Sequence, residues 1–349
     1  MITTLANDRS LPYRHLADLT DGRALFEHAR HADPRVDHGY CLDDVARALV
    51  VVVREPRRTP MLEQLTETYL RFVEQAFAAD GRAHNRMDVT GTWADDLAVS
   101  DWWGRGVAAL GFTVANASQR PALVRAMRAF LRAARQRPTD VRAAAFAALG
   151  AADVLTARPS SRAARRLLLD VLPLLPVAPV AEWAWIEPRL RYANATLAEA
   201  LLAIGTALDE PGLVARGLAA LDALVAIETR NGHLSVTGHS GRGPEDHGPL
   251  FDQQPIEVAA IADAAARAYA LTGDKRWKRL VRVAWNWFEG DNDGGMPMID
   301  PSSGAGYDGL ELDGRNNNRG AESTLAALGT FQQMQAVDAA SERAIGIRR

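Results

Sequence analysis

The stretch HGYCLDDVARALVVVV, residues 38–53, joins a polar start to a long apolar continuation. Its first seven positions hold His38, Tyr40 and the adjacent carboxylates Asp43 and Asp44. An apolar stripe at helical spacing overlaps and follows them, formed by Leu42, Val45, Ala46, Leu49, Val50 and Val53. Because a helix that buries one face needs such a stripe, the stretch predicts a helix that begins in a polar cluster and continues into a core.

The same helical periodicity recurs through most of the 349 residues. Besides the helix after Cys41, it predicts helices near residues 20–30, 60–79, 101–116, 120–137, 140–156, 161–172, 193–208, 211–229, 255–272, 275–289 and 320–341. Short strands are expected only around residues 233–236 and 296–299. About twelve helices with so few strands indicate an all-α chain. No low-complexity linker divides it, so residues 1–349 are expected to form one domain.

Long connections alternate with short ones along the predicted helices. The long connections are residues 31–40, 80–100, 173–192, 230–254 and 290–319, and they hold most of the unusual polar and aromatic residues. Short joints rich in Pro and Gly suit antiparallel neighbouring helices. If the long connections share one rim of a helical ring, their side chains converge there on a pocket.

The overall composition excludes several classes of partner and site. The chain has 40 Lys and Arg against 43 Asp and Glu, a formal net charge of −3, which gives no bulk attraction for nucleic acid or an anionic membrane. The single cysteine, Cys41, excludes an intramolecular disulfide. No stretch is long and apolar enough for a membrane helix, so we expect a cytoplasmic protein.

Five clusters of carboxylates, amides and aromatic rings lie at the starts of predicted helices. Cleavage of a glycosidic bond needs a carboxylic acid that protonates the leaving oxygen and a second carboxylate that activates water or attacks. Flat aromatic faces bind the C–H surfaces of sugars. The catalytic candidates are Glu187, Asp44, Asp43 and Asp101. The substrate-binding candidates are His38, Tyr40, Trp102, Trp103, Arg105, Trp183, Trp185, Tyr192, Asn194, His239, Asp252, Gln253, Gln254, Glu257, Asp308, Asn317 and Glu322.

A structural role competes with a catalytic one at each of these carboxylates. Capping and the helix dipole favour acidic residues in a first turn, which is the commoner role for single residues such as Asp101 and Glu257. The adjacent pair of Asp43 and Asp44 exceeds what capping requires. Glu187 lies between tryptophans and Pro188, an apolar setting that would raise its pKa and suit a general acid; a surface glutamate is the alternative.

Metal and nucleotide sites are not expected. His28, His31 and His38 do not have the spacing of a standard metal site. Residues 304–309, GAGYDG, match a dinucleotide-binding fingerprint literally, but no predicted strand precedes them and no helix follows at once. The sequence therefore predicts neither a metal nor a cofactor.

Several motifs resemble, in the same order, those of the six-hairpin, (α/α)6-toroid glycosidase-like proteins. The resemblance is greatest to a branch that is often fused to glycosyltransferases or named after them. The motifs are residues 38–49, 185–187, 191–195, 251–257, 307–310 and 318–325. The resemblance implies six helical hairpins ringed around a sugar pocket. The chain departs from this branch at Trp102 and Trp103, where a small residue and a histidine usually precede the Gly-Arg pair.

The residues and the resemblance together predict a carbohydrate-active enzyme. The first hypothesis is an inverting glycoside hydrolase with Glu187 as general acid and Asp43, Asp44 or Asp101 as base. The second is a sugar epimerase or isomerase, which needs a base with a pKa near neutrality, and His239 and His247 are its candidates. The third is a carbohydrate-binding accessory module that partners a glycosyltransferase.

Overall fold

The computed structural model describes residues 11–180 and 183–346. Within these residues the chain forms twelve α-helices: α1 (Arg14–Asp18), α2 (Leu42–Arg54), α3 (Pro60–Ala76), α4 (Asp101–Asn116), α5 (Arg120–Ala133), α6 (Val141–Ala157), α7 (Arg162–Val171), α8 (Asn194–Leu208), α9 (Pro211–Ile227), α10 (Pro255–Thr272), α11 (Lys275–Glu289) and α12 (Ala321–Gly346). Two short 3-10 helices cover Val36–His38 and Leu172–Leu174. None of the described helices is both long and apolar enough to cross a membrane.

The helices form two concentric rings. Helices α2, α4, α6, α8, α10 and α12 pack side by side in that order, and α12 returns to α2, so they close an inner ring. Helices α3, α5, α7, α9 and α11 each pack outside the preceding inner helix, and the short α1 lies against α12. The arrangement is an (α/α)6 toroid, as the sequence predicted.

The side chains explain which helices are inner and which are outer. Helix α8 is buried along almost all of residues 194–205, as an element enclosed on every side requires. The outer helix α7 buries only Ala164, Leu167, Leu168 and Val171, and it exposes several arginines. Local caps set the boundaries: Thr59 and Pro60 begin α3, and the side chain of Asp140 accepts the first backbone N–H groups of α6.

Short antiparallel strand pairs stabilise the long connections. Each strand has two residues: β1 (Ala29–Arg30) pairs with β2 (Asp33–Pro34), β3 (Tyr40–Cys41) with β4 (Arg86–Met87), β5 (Thr229–Arg230) with β6 (His233–Leu234), β7 (Ile299–Asp300) with β8 (Ala305–Gly306), and β9 (Leu310–Glu311) with β10 (Gly314–Arg315). The predicted strands near 233–236 and 296–299 correspond to β6 and to the start of β7.

The predicted helix near residues 20–30 is wrong. These residues form a turn followed by extended backbone, with Thr20 bridged to Leu25. The Asp21 carboxylate accepts the backbone N–H groups of Arg23 and Ala24, at 2.7 and 3.0 Å, and so ends the helical path. Leu25 is nevertheless fully buried, which explains how its apolar spacing could resemble that of a helix.

All six inner helices begin at the same rim of the ring, because an outer helix brings the chain back between each inner helix and the next. The connections at the opposite rim are short, such as residues 117–119, 209–210 and 273–274. The long connections 19–41, 77–100, 172–193, 228–254 and 290–320 all lie at the rim where the inner helices begin. The rim with the long connections is therefore the one that can build a site.

Candidate functional site

Carboxylates and one amide surround the N-terminal rim of the inner ring. Five of the six inner helices have an acidic residue at the N-cap or in the first turn, and α8 begins with Asn194. The acidic residues are Asp43, Asp44, Asp101, Asp140, Glu257 and Glu322. Of these, Asp140 was not among the predicted site residues.

Arg47 gathers three of these carboxylates. Its guanidinium contacts Asp43 at 2.6 Å, Asp44 at 2.5 Å and Glu322 at 2.7 Å. Asp44 is buried and accepts a hydrogen bond from the Cys41 thiol at 3.3 Å. Burial raises the pKa of Asp44 to about 7, even though the Arg47 charge opposes the shift. These contacts bring the starts of α2 and α12 together.

The next part of the rim pairs a carboxylic acid with a carboxylate. Arg105, buried on α4, contacts Asp43 at 2.6 Å and lies 4.0 Å above the ring of Phe146. Asp101 lies one turn earlier and shares a hydrogen bond with Asp140. Burial and this neighbour raise the pKa of Asp101 to about 7, while the pKa of Asp140 is lowered by its hydrogen bonds to the start of α6. The protonated form is therefore favoured at Asp101 and the ionised form at Asp140.

Glu187 is paired with an arginine. Arg142, whose side chain is 5% exposed, donates to both carboxylate oxygens of Glu187, at 3.1 and 2.8 Å. The same guanidinium donates to the backbone carbonyl of Tyr192 at 2.7 Å. The apolar setting expected for Glu187 is thus replaced by an ion pair with the buried Arg142.

Glu257 joins α10 to the start of α8. Its carboxylate accepts the backbone N–H groups of Ala193 and Asn194 and the Asn194 amide, the last at 3.0 Å. Ala193 has a left-handed backbone, which directs its N–H toward the carboxylate. Burial raises the pKa of Glu257 and raises that of the neighbouring Glu228 to about 7. We interpret Glu257 as a residue that positions α8.

A cavity of about 490 Å³ opens at this rim; we call it the rim cavity. It is lined by Arg191, Tyr192, Thr237, Gly238, His239, Asp252, Gln254, Ile256, Glu257 and Glu322. The Oδ1 atom of Asp252 is buried and has no hydrogen-bond partner among the described residues. Desolvation raises the pKa of this carboxyl group, with a further contribution from Glu311.

A second, larger cavity of about 740 Å³ occupies the interior of the ring; we call it the axial cavity. It shares Ile256 and Glu322 with the rim cavity and reaches Asn116 and Gly273 at the C-terminal ends of α4 and α10. Its walls are mainly alanine and other apolar side chains, crossed by ion pairs such as Arg54 with Asp263 at 3.1 Å. Glu322 is therefore accessible from both cavities.

Some predicted substrate-binding residues are buried in the scaffold. Trp103 and Trp185 are fully buried, and Trp103 donates to the Gly81 carbonyl at 2.9 Å. Tyr40 stacks on Phe26 and lies in the core. Gln253 is also buried and donates to Asp293 at 2.7 Å, which holds two long connections together. Within the described structure, none of these four lines the cavities above.

Other predicted residues lie at the rim but outside the rim cavity. Trp183 lines a separate cavity together with His247, and Trp102 donates to the Ala83 carbonyl at 3.4 Å. Asp308 accepts hydrogen bonds from Ser323 and from the Gly320 backbone, so it supports the start of α12. Two more are peripheral, namely the solvent-exposed Asn317 and the partly exposed His38.

Four residues of the site were missed by sequence reasoning: Arg47, Asp140, Arg142 and Arg191. Arg47 could have been found, because it follows Asp43 by four residues and therefore lies on the same helix face. Asp140 directly precedes a predicted helix, where its role as a cap was readable. The sequence holds no comparable signal for Arg142, whose partner is 45 residues away.

The carboxylates around Arg47 do not form a convincing metal site. Oxygen atoms of Asp43, Asp44 and Glu322 lie within 4.8 Å of one another, as metal ligands would. The guanidinium of Arg47 contacts all three, however, and its positive charge neutralises the cluster. We therefore assign these groups to an ion-pair network.

Comparison with known proteins reveals similarity in structure only. No family model and no curated protein sequence matches the chain. A sugar epimerase from a ruminal bacterium superposes with a TM-score of 0.70 and 13% identity, over 93% of this chain and 94% of that one. The cellobiose 2-epimerase of Bacillus thermoamylovorans B4167 has a TM-score of 0.68 and 13% identity, over 93% and 96%. The GH76 alpha-mannanase of Bacteroides thetaiotaomicron has a TM-score of 0.64 and 9% identity, over 94% of each chain.

These similarities cover almost the whole chain and show its fold. The protein is an (α/α)6 toroid of six helical hairpins, which confirms the fold that the motifs implied. At 9 to 13% identity they do not transfer an activity. The three names include both epimerases and a mannanase, so the fold alone does not distinguish between rearrangement and cleavage of a sugar. None of the three is a glycosyltransferase, and the expected glycosyltransferase partner stays a prediction.

Proposed function

We propose that the protein is a carbohydrate-active enzyme and that it hydrolyses a glycosidic bond in the rim cavity. The observation that carries this proposal is that two carboxyl groups in unlike environments, Asp252 and Glu322, line one cavity of about 490 Å³. Such a volume lies within the range of small-molecule sites and is suited to a saccharide. The names of the structural neighbours support a sugar as the substrate.

Asp252 is the proposed general acid. Desolvation raises its pKa, which keeps the carboxyl group protonated to a higher pH than a free aspartate. Its side chain is only partly buried and lines the rim cavity, so the carboxyl group can reach a leaving oxygen there. We prefer Asp252 to Glu187 because both oxygens of Glu187 already accept hydrogen bonds from Arg142.

Glu322 is the proposed general base. Its side chain is 40% exposed and one carboxylate oxygen lies 2.7 Å from the Arg47 guanidinium. A carboxylate in this position can take a proton from water. One carboxyl group that gives a proton and a second that accepts one is the division of roles that glycoside hydrolysis requires.

The remaining lining of the rim cavity provides the contacts that a sugar needs. Gln254 and Arg191 supply amide and guanidinium donors for hydroxyl groups, and the half-exposed Tyr192 adds an aromatic ring. Arg191 and Tyr192 are adjacent to Asn194, which Glu257 holds in place. The positioning network around α8 therefore supports the substrate-binding side of the cavity.

The test compares two variants on a panel of oligosaccharides and polysaccharides, with and without added phosphate. Asp252→Asn and Glu322→Gln should each lower kcat by at least about a hundredfold, because each removes one partner of the acid–base pair. The anomer first released, followed by NMR, tests the predicted inversion. Full turnover by both variants would overturn the proposal.

A matched control separates catalysis from stability. Asp222→Asn removes an exposed carboxylate of the outer helix α9 that pairs with Arg276 of α11 and lines neither the rim cavity nor the axial cavity. Its kcat should equal that of the wild type. Thermal unfolding of all three variants verifies that any loss at Asp252 or Glu322 occurs in folded protein.

A sugar epimerase is the second candidate, and the position of His239 favours it. This histidine lines the rim cavity, and its charge acts on the carboxyl group of Asp252. A histidine ring nitrogen can remove a proton next to a sugar carbonyl. His247, the other candidate, lies in a separate cavity.

Free cellobiose and free mannose in D2O distinguish the two functions. An epimerase exchanges the C2 proton for deuterium and forms the C2 epimer, without releasing a monosaccharide from cellobiose. His239→Asn should then abolish the exchange at C2. The exchange rate of this variant is compared with that of Glu322→Gln. Release of glucose without exchange at C2 would instead favour the hydrolase.

A further inference from the structure

A third cavity, of about 330 Å³, lies beside the rim cavity; we call it the flanking cavity. Trp183, from the connection that precedes α8, and residues between 227 and 248, from the connection that follows α9, form its walls. These connections are tied together by Leu190 and Arg242, whose backbones exchange hydrogen bonds of 2.7 and 3.0 Å. Arg191 and Tyr192, the residues directly after Leu190, line the rim cavity. The two cavities are therefore neighbours on one surface.

Arg242 is the central residue of the flanking cavity. It is 7% exposed, yet in the described part of the chain its guanidinium donates only to the carbonyls of Ile227 and Gly248, each at 3.3 Å. Its Nε atom is buried and has no hydrogen-bond partner among the described residues. A buried cation that is held by long bonds to neutral oxygens still has capacity for an anion.

The surrounding charges leave the flanking cavity positive. Arg230 and Arg242 both line it, and the only acidic lining residue is Asp246. Asp246 is already paired with Arg189 at 2.9 Å and with the Gly243 N–H at 2.8 Å. Glu228 interacts electrostatically with Arg242. Burial raises the pKa of Glu228 to about 7, so near neutral pH this carboxyl group neutralises the Arg242 charge only in part.

The other lining groups suit a sugar ring. Trp183 is half-buried, and its indole N–H donates to the Glu187 carbonyl at 2.8 Å, which holds the ring in place. Thr229 and His247 add a hydroxyl and an imidazole at the exposed side. An aromatic ring beside two guanidinium groups is a combination that binds a saccharide carrying an anionic group.

We propose that the flanking cavity is a subsite for a sugar residue that carries a carboxylate or a phosphate, next to the reacting bond in the rim cavity. Arg242 and Arg230 bind the anionic group, and Trp183 contacts the sugar ring. This inference rests on the proposed function, because it assumes that the glycan cleaved in the rim cavity continues into the flanking cavity. It narrows the substrate class to acidic glycans or sugar phosphates.

Binding to the full chain tests the subsite without requiring turnover. Titration calorimetry compares glucuronate, glucose 6-phosphate, glucose and inorganic phosphate at low and high salt. At least one of the two acidic sugars should bind about tenfold more tightly than glucose, and the advantage should shrink as salt screens the charge. A preference for glucuronate or for glucose 6-phosphate identifies the anionic group.

Two arginine variants and one control locate the binding. Arg242→Gln should lower affinity for the acidic sugar about tenfold. Arg230→Gln should also lower this affinity, and because Arg230 is exposed, its replacement should leave folding unchanged. Arg276→Gln, an exposed arginine of the outer helix α11, should have no effect. The variant Trp183→Ala should weaken acidic sugars but not inorganic phosphate.

Three outcomes would overturn the subsite. Equal affinity for glucose and both acidic sugars would remove the anionic group from recognition. Binding of inorganic phosphate as tight as that of the sugars would indicate an anion site without a sugar. Unchanged binding in Arg230→Gln and Arg242→Gln would place the ligand elsewhere. If the acidic sugar binds as expected but Asp252→Asn and Glu322→Gln leave turnover intact, only the hydrolase assignment fails.

Discussion

Asp101 and Asp140 share a hydrogen bond where α4 and α6 begin. The pKa of Asp101 is raised to about 7 by burial and by its neighbour, so the protonated form is favoured in the folded chain. The Asp140 carboxylate, which caps α6, accepts the hydrogen bond. Two carboxyl groups this close cannot both ionise freely at neutral pH.

Asp101→Asn should therefore change how stability depends on pH. Because the folded pKa of Asp101 is above the unfolded one, its protonation stabilises the fold fully below about pH 4, and this stabilisation is lost as pH rises through about 7. Asparagine keeps a donor for Asp140 and never ionises. We expect the variant to gain about 1 kcal/mol over the wild type at about pH 8, a value discounted because Asp101 is only half buried.

Urea unfolding at several pH values measures this effect. The control Asp222→Asn removes an exposed carboxylate and should follow the wild-type curve at every pH. A variant at Asp101 that loses stability by the same amount at all pH values would show that the two side chains do not share a hydrogen bond.

Glu187 shows what a sequence can and cannot tell about single residues. Its sequence neighbours are apolar, and they predict a protonated acid. In the folded chain its carboxylate faces Arg142, which comes from a different hairpin. The residues next to Glu187 in sequence predict only its nearest surroundings, whereas its charged partner comes from another hairpin of the ring. Asp43, Asp44 and Glu322 were predictable as rim residues because each begins a helix with a clear apolar stripe.

Among the elements, α4 and α6 approach each other most closely along the described inner ring. Gly111 of α4 faces Gly150 of α6, and a side chain at either position would overlap the backbone of the other helix. Two turns nearer the rim, a Cβ at Gly104 would lie 2.6 Å from the Ala143 carbonyl oxygen. Small residues therefore allow the backbones to touch and set the spacing between these two helices.

Gly111→Ala should destabilise the protein by about 3 kcal/mol, because the added methyl group must push two packed helices apart. Helix propensity alone predicts the opposite sign, since alanine favours a helix by about 1 kcal/mol over glycine. Chemical unfolding measures which effect is larger. The steric contact predicts a clear loss.

Gly329→Ala is the matched control within another inner helix, α12. A Cβ there would meet only the Arg54 guanidinium at 3.7 Å and Val51 at 3.9 Å, which are ordinary contacts. This variant should gain about 0.5–1 kcal/mol from helix propensity. If both substitutions stabilise the protein, α4 and α6 are less closely packed than this structure indicates.

The elements themselves were largely predictable. Periodicity predicted eleven helices close to their observed positions, because each buries an apolar face over three or more turns. It failed near residues 20–30, where the Asp21 side chain competes for backbone N–H groups and turns the chain. The close approach at Gly111 and Gly150 was not predictable, since one glycine in a helix carries no information about its partner.

At the scale of the whole molecule, ring closure and the axial cavity follow from different properties of the chain. Alternating long and short connections predicted that polar residues would converge at one rim. The free space inside the ring depends on side-chain size at inward positions, and which positions point inward is set by the relative rotation of six helices. The sequence could therefore predict a toroid without revealing a cavity of about 740 Å³ along its axis.

The axial cavity makes a prediction about two alanines of the inner ring. Ala260 of α10 lines the cavity, whereas Ala148 of α6 is fully buried and does not line it. Ala260→Leu should be neutral or stabilise by about 1 kcal/mol, because the added carbons enter free space and gain apolar contact. Ala148→Leu should cost about 1–3 kcal/mol, because it overpacks a filled core. Leucine and alanine differ little in helix propensity, so urea unfolding of the two variants compares only their surroundings. Equal destabilisation of both would mean that the inner helices close around their axis in solution, and it would leave Glu322 accessible from the rim alone.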